Sequence, residues 1–155
     1  MILGVNDHVP TFTLSDASGN AWTFPTAASH LTVLYFYSKD NTAGCTTEAK
    51  EFSDLLPEFS RLDAQVFGIS PDSAASHQNF TEKQKLSVTL LADPEKTVIS
   101  AFGVWVQKKM YGREYMGVQR STFVIDPAGK ILAVWNKVKV KGHASDVLQT
   151  IFAFV

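Results

Sequence analysis

The run Leu31-Thr32-Val33-Leu34-Tyr35-Phe36-Tyr37 is apolar at nearly every position, and it constrains the fold more than any other stretch of the chain. A strand with one wet face alternates apolar and polar residues, whereas a run without alternation belongs to a strand covered on both faces. It therefore reads as the middle of a sheet with helices on each side. From Thr46 to about Leu62 the apolar residues Ala49, Phe52, Leu55, Leu56, Phe59 and Leu62 recur at three- and four-residue steps, with Glu48, Glu51, Asp54, Glu58 and Arg61 among them. That spacing predicts an amphipathic helix, which Pro57 is expected to kink.

The remaining elements follow from period and turn residues. Phe12–Leu14 and Ala21–Phe24 flank the turn-rich Asp16–Asn20 and predict a short hairpin. Gln65–Ser70 predicts a strand, Ser73–Lys85 a helix capped by Ser73, Val88–Leu91 a short strand and Glu95–Phe102 a short helix. Ser121–Ile125 and Ile131–Trp135 form a hairpin across Asp126-Pro127-Ala128-Gly129, and Ala144–Phe154 closes the chain as a helix. Gly103 to Gly117 reads as a loop in which Trp105, Met110, Tyr111, Tyr115 and Met116 form either a lid or subunit contact, or a small core of their own. Lys137, Lys139 and Lys141 alternate with Val138 and Val140 in the manner of an edge strand. The order predicts a thioredoxin-like three-layer α/β/α sandwich with a mixed central sheet and an N-terminal hairpin, residues 1–155 forming one domain.

Charge and cysteine content narrow the function. Fourteen Lys and Arg against fifteen Asp and Glu give a net charge of -1, too little basic surface for sequence-independent nucleic-acid binding. Cys45 is the one cysteine, so an internal disulfide and every Cys-based zinc pattern are excluded. The N-terminus has no basic start and the densest apolar run, Val33–Tyr37, is too short for a bilayer; a soluble cytoplasmic protein with no membrane partner is expected. His8, His30, His77 and His143 show no metal-ligand spacing and read as surface or loop residues, and no phosphate-binding glycine motif is present.

Cys45 falls in the first turn of the long helix, after the loop Ser38–Gly44 that follows the buried strand. Free N–H groups and the positive end of the helix dipole favour a negative sulfur there, and open α/β sheets place their sites at the carboxyl ends of strands. A lone cysteine is otherwise a small buried hydrophobe. Thr42, three residues earlier, can cap the helix or direct its hydroxyl at the sulfur and an incoming oxygen, and Gly44 lets the backbone approach a small ligand.

The segment Tyr35-Phe36-Tyr37-Ser38-Lys39-Asp40-Asn41-Thr42-Ala43-Gly44-Cys45-Thr46-Thr47-Glu48-Ala49 closely resembles the active-site segment of the peroxiredoxins, nearest to the bacterioferritin comigratory protein or peroxiredoxin Q subfamily. The resemblance continues through Gly68-Ile69-Ser70-Pro71-Asp72, Leu91-Ala92-Asp93-Pro94, Phe102-Gly103-Val104-Trp105 and Arg120–Asp126, and covers essentially the whole chain. It implies that Cys45 is the peroxidatic cysteine, that Thr42 binds and orients the peroxide, and that Arg120 pairs with the thiolate. Ser38 and Gly44 then complete the substrate pocket. An arginine ahead of a strand is more often a surface ion-pair residue, so the assignment of Arg120 rests on the resemblance.

Two departures matter. Ser38 stands where the family usually has proline, which leaves the pocket wetter or wider; Lys50 stands where many members carry a resolving cysteine. The resemblance thus implies a one-cysteine peroxidase of hydrogen peroxide and organic hydroperoxides. Such an enzyme needs no cofactor, works as a monomer or weak homodimer, and is recycled by thioredoxin, glutaredoxin or glutathione. A peroxide sensor or an inert thioredoxin-like binding module are the alternatives. A Cys-x-x-Cys reductase is disfavoured by Glu48 at the place of a second cysteine.

Overall fold

A computed structural model describes residues 2–155. Its strands are β1 (Phe12–Asp16), β2 (Ala21–Phe24), β3 (Leu31–Phe36), β4 (Ala64–Ser70), β5 (Thr89–Ala92), β6 (Trp105–Met110), β7 (Arg113–Val118), β8 (Ser121–Ile125) and β9 (Ile131–Asn136). The helices are α1 (Ala43–Arg61), α2 (Ala74–Gln84), α3 (Thr97–Ala101) and α4 (His143–Ile151), followed by a 3₁₀ turn over Phe152–Phe154.

Seven strands form one mixed sheet in the order β2-β1-β5-β4-β3-β8-β9. β3 runs parallel to β4 and antiparallel to β8, and all six of its residues are buried, as a strand without alternation must be. It is an inner strand but not the middle one, which is β4. The N-terminal hairpin pairs Phe12 with Phe24 and Leu14 with Trp22.

The two faces of the sheet are covered unequally. Leu31, Val33 and Tyr35 pack with Phe52 and Phe59 of α1, Phe80 of α2 and Val147 and Ile151 of α4. On the opposite face Leu34 and Phe36 pack with Val98 and Ile99 of the five-residue α3, with Phe102, and with Val9 and Phe24. The α/β/α sandwich is therefore thick on one side and thin on the other, with irregular chain completing the thin layer.

Three local expectations are corrected. The segment read as a loop between Gly103 and Gly117 is the hairpin β6–β7, a separate two-stranded sheet in register from Trp105↔Val118 to Met110↔Arg113. Its two-residue turn is Tyr111-Gly112, both at positive φ (52° and 76°). Tyrosine tolerates that conformation poorly, so the usual Asn-Gly signal of a tight hairpin was absent from the sequence. The Lys137–Lys141 alternation is not a strand: β9 ends at Asn136, and Lys137 takes a φ of 53° that breaks extension. α1 begins three residues earlier than the apolar period suggests, with Pro57 inside it. Among the described residues, no helix is long and apolar enough to cross a membrane.

Candidate active site

β3 ends at Phe36, and the chain crosses Tyr37–Thr42 before α1 starts at Ala43. Asn41 turns the loop in a left-handed conformation (φ 63°), one that asparagine tolerates better than most residues. Thr42 occupies the N-cap position in extended geometry, yet its side chain makes no cap hydrogen bond. Its Oγ1 donates instead to the Lys39 carbonyl at 2.8 Å, which leaves the oxygen's lone pairs free to accept. Of the two roles open to Thr42 in the sequence, capping is the one the structure removes. The first-turn N–H groups of α1 are thus not consumed by the Thr42 side chain, and the positive end of the helix dipole lies beside Cys45.

Cys45 is the third residue of α1 and is 1% exposed. Arg120, on the short link between β7 and β8, reaches across to it: Nη2 donates to Cys45 Sγ at 3.2 Å. The same guanidinium donates through Nη1 to Glu48 Oε1 at 2.6 Å. A permanent cation at hydrogen-bond distance stabilises a thiolate over a thiol. Gly44 has its place in this arrangement, because a Cβ there would meet Arg120 Nη2 at 3.4 Å. The guanidinium thus passes close over the Gly44 backbone. Ser38 is exposed, near the β3 end of the loop, and makes no hydrogen bond to Cys45, Thr42 or Arg120.

Glu48 was not singled out from the sequence, although three residues after Cys45 is one helical turn and therefore the same face. It is 1% exposed, burial raises its carboxyl to about 7 against the pull of Arg120, and Oε2 has no hydrogen-bond partner. Arg120 is itself held above the usual guanidinium value: burial acts against its charge, but Glu48 and Cys45 outweigh it. The hairpin β6–β7 flanks the site through Lys108, which burial, and then the charge of Arg120, hold below the ordinary lysine value.

Two histidines read as surface residues are buried. His77 of α2 is 0% exposed and His143, at the start of α4, is 4% exposed. The i,i+3 pairing of His77 with the buried Phe80 was the available signal. His143 lies 2.7 Å through Nε2 from Thr122 Oγ1, and burial lowers it to about 4, so it is neutral at physiological pH.

A cysteine in the uncapped first turn of a helix, beside a fixed guanidinium and on a thioredoxin-like sheet, is the arrangement of a class of thiol redox proteins. The family model described as the AhpC/TSA family matches residues 5–134, and the chain belongs to that family. Within it the chain is similar to Peroxiredoxin Bcp of Bacillus subtilis (strain 168), 48% identical over 145 residues, 94% of this chain and 86% of the relative. Peroxiredoxin Bcp of Xanthomonas campestris is 44% identical over 140 residues, 90% of this chain and 88% of the relative. Among solved structures, a cysteine-to-serine mutant of PrxQ from Xylella fastidiosa superposes with a TM-score of 0.93 at 37% identity, covering 99% of this chain and 98% of that one. The bacterioferritin comigratory protein of Xanthomonas campestris, described for its alkyl peroxide reduction activity, gives a TM-score of 0.88 at 40% identity over 96% and 99% of the two chains. The chain is thus a thiol-dependent peroxidase of the Bcp/PrxQ type, with a single cysteine for the chemistry.

Proposed function

We propose that residues 1–155 act as one domain in which Cys45 is the peroxidatic nucleophile, with Thr42, Gly44 and Arg120 forming its substrate pocket and Ser38 the pocket's outer rim. The observation that carries this reading is the 3.2 Å contact from Arg120 Nη2 to Cys45 Sγ. The Cys45 thiolate attacks one oxygen of the hydroperoxide, a sulfur–oxygen bond forms as the oxygen–oxygen bond breaks, and the sulfur loses two electrons to the peroxide. The leaving oxygen departs as hydroxide or alkoxide and takes a proton to become water or alcohol. Arg120 and the uncapped first turn of α1 stand beside the charge that develops on the two oxygens, while Thr42 Oγ1, whose own proton goes to the Lys39 carbonyl, accepts from the O–H of the hydroperoxide.

The resulting sulfenic acid has no second cysteine in the chain to condense with. An external thiol attacks it, releasing water and forming a mixed disulfide; a second thiol then frees the Cys45 thiolate. Glutathione with glutaredoxin, or thioredoxin, supplies those thiols, and both belong to a reducing cytoplasm. The acting form is a monomer or weak homodimer, because nothing in the proposed chemistry draws on a second subunit. Hydrogen peroxide and organic hydroperoxides are the substrates. Steady-state turnover with an added thiol, compared with a single stoichiometric oxidation, tests this reading against a sensor that passes its oxidation to one partner. An absence of turnover with any of the three thiols would overturn the enzymatic cycle proposed here.

A further inference from the structure

A closed polar cluster lies behind the loop that carries Thr42, and none of its members has a role in the chemistry above. Asp40, two residues before Thr42, is 5% exposed. Its carboxylate accepts from Tyr37 Oη at 2.6 Å and from Ser76 Oγ at 2.8 Å, and lies 2.7 Å from His77 Nδ1. His77 Nε2 lies 3.0 Å from the Leu91 carbonyl oxygen, so both ring nitrogens are engaged. The backbone N–H of Asp40 donates to Asp72 Oδ2 at 3.0 Å, and Ser70 Oγ donates to that same oxygen at 2.7 Å. Burial acts to raise the Asp40 carboxyl, but the hydrogen bonds from His77 and Tyr37 hold it below the usual carboxylate range.

The cluster fastens the loop at one residue. Asp40 and His77 are buried, and a buried carboxylate is tolerated only where its partners satisfy it. From Asp40 to Thr42 there is one intervening residue, Asn41, already confined to the left-handed region at φ 63°. With Asp40 fixed, the backbone of Thr42 (φ −86°, ψ 155°) and the direction of its hydroxyl have little freedom left. Cys45 is held by different means, through the packing of Ala49 and Phe52 on the sheet and through Arg120. The Thr42 carbonyl is tied to the same helix, accepting from the Thr46 N–H at 2.9 Å, so a shift of the loop acts on the Thr42 side chain while packing and Arg120 keep the sulfur in place.

We propose that Asp40 and His77 are positioning residues for the peroxidase reaction: the pair ties the peroxide-holding loop to α2 and sets where the Thr42 hydroxyl stands relative to Cys45. The proposal rests on the reading of Thr42 as the group that holds the peroxide. It separates two rates that a general structural role would move together. Peroxide must be oriented by the loop, whereas a small alkylating reagent only needs the thiolate.

The test compares the rate of hydrogen peroxide reduction with the rate of Cys45 alkylation by iodoacetamide, at one pH, in reduced wild type, His77→Leu, His77→Gln, Asp40→Asn, Ser76→Ala and Thr42→Val. His77→Leu and Asp40→Asn are expected to slow the peroxide reaction by about 10- to 100-fold, as a misplacement near 1 Å does, with alkylation within about threefold of wild type. His77→Gln keeps one donor for Asp40 and is expected to recover part of the loss. Ser76→Ala removes one hydroxyl from a half-buried position and decides the matter if His77→Leu does not fold: a peroxide rate about twofold to fivefold lower with alkylation unchanged is expected. Peroxide rates equal to wild type in these variants, or peroxide and alkylation rates falling together, overturn the proposal. Thr42→Val separates the two readings. If it alone reacts at the wild-type rate, the role given to Thr42 fails, and if it is slow while the Asp40 and His77 variants are not, the positioning role fails.

Discussion

Arg120 places Nη2 3.2 Å from Cys45 Sγ and Nη1 2.6 Å from Glu48 Oε1, so one planar guanidinium spans two groups a single helical turn apart on α1. Glu48 holds the fork in the plane that aims its second nitrogen at the sulfur. The positive charge at Cys45 is thereby fixed by a buried partner rather than by a mobile surface side chain.

Arg120→Lys is accordingly a severe change. A lysine supplies charge but cannot reach both partners with a rigid fork. The peroxide reaction is expected to slow by about 10²- to 10³-fold, as it does when one preorganised donor to a developing oxyanion is lost, and Cys45 alkylation at pH 7 is expected to slow with it. Stopped-flow peroxide consumption and timed alkylation check both; wild-type rates in the variant would contradict the bridge.

Glu48 makes stability depend on pH in a definite direction. Its carboxyl sits at about 7 in the folded protein against 4.5 when unfolded, so between those values the folded state keeps a proton that the unfolded state has lost. The stabilisation from the protonated form is complete below about pH 4.5 and is lost as pH rises through about 7, a change on the order of 3 kcal/mol. Urea midpoints from pH 5 to pH 8 should fall with that slope in wild type and flatten in Glu48→Gln. The same slope in both proteins would show that Glu48 is not the group responsible.

Gly68 faces Tyr35 across the β3–β4 pair, and a Cβ there would lie 2.6 Å from Tyr35 Cζ. That ring is stacked on Phe52 of α1 at 4.7 Å between centroids, so it has no room to retreat. Gly68→Ala is expected to cost about 1–3 kcal/mol, read as a lower urea midpoint at unchanged slope. An unchanged midpoint would mean that the ring yields more easily than this packing allows.

Ser38→Pro restores the residue that the peroxiredoxin pattern carries at this position. Ser38 is exposed two residues past the end of β3, and its N–H makes no hydrogen bond to the backbone. The variant is expected to fold with unchanged or slightly higher stability, on the order of 0.5 kcal/mol, and to reduce peroxide several-fold faster by drying the pocket rim. A slower variant would show that the serine is adapted to this pocket.

The large features were legible because they rest on period. The unbroken apolar run of β3, the amphipathic stripe of α1 and the turn Asp126–Gly129 each force one solution, and the structure adopts them. The β6–β7 hairpin was hidden because its turn, Tyr111-Gly112, uses a tyrosine at positive φ and its strands bury little. Cys45, Thr42 and Arg120 stood out through resemblance, and the structure brings Arg120 Nη2 to 3.2 Å from Cys45 Sγ. Glu48 and Asp40 were given no part in the site and His77 was read as a surface residue, because a polar residue on a helix or loop reads as solvated until tertiary packing buries it, and one sequence does not show which ones are buried.

With no second cysteine, the sulfenic acid must wait for an outside thiol, and waiting exposes it to a second oxidation. Activity is expected to decay with turnover in excess peroxide, with sulfinic acid at Cys45 in the intact mass. Constant activity over many turnovers in high peroxide would count against an unprotected sulfenate.

The most direct test of Cys45 as the peroxidatic nucleophile is the rate at which reduced protein consumes one equivalent of hydrogen peroxide, followed by intact mass, with Cys45→Ser as control. Consumption far faster than by free cysteine, a gain of one oxygen and loss of both in the control are predicted. A rate no better than free cysteine, or consumption that persists in Cys45→Ser, would contradict it.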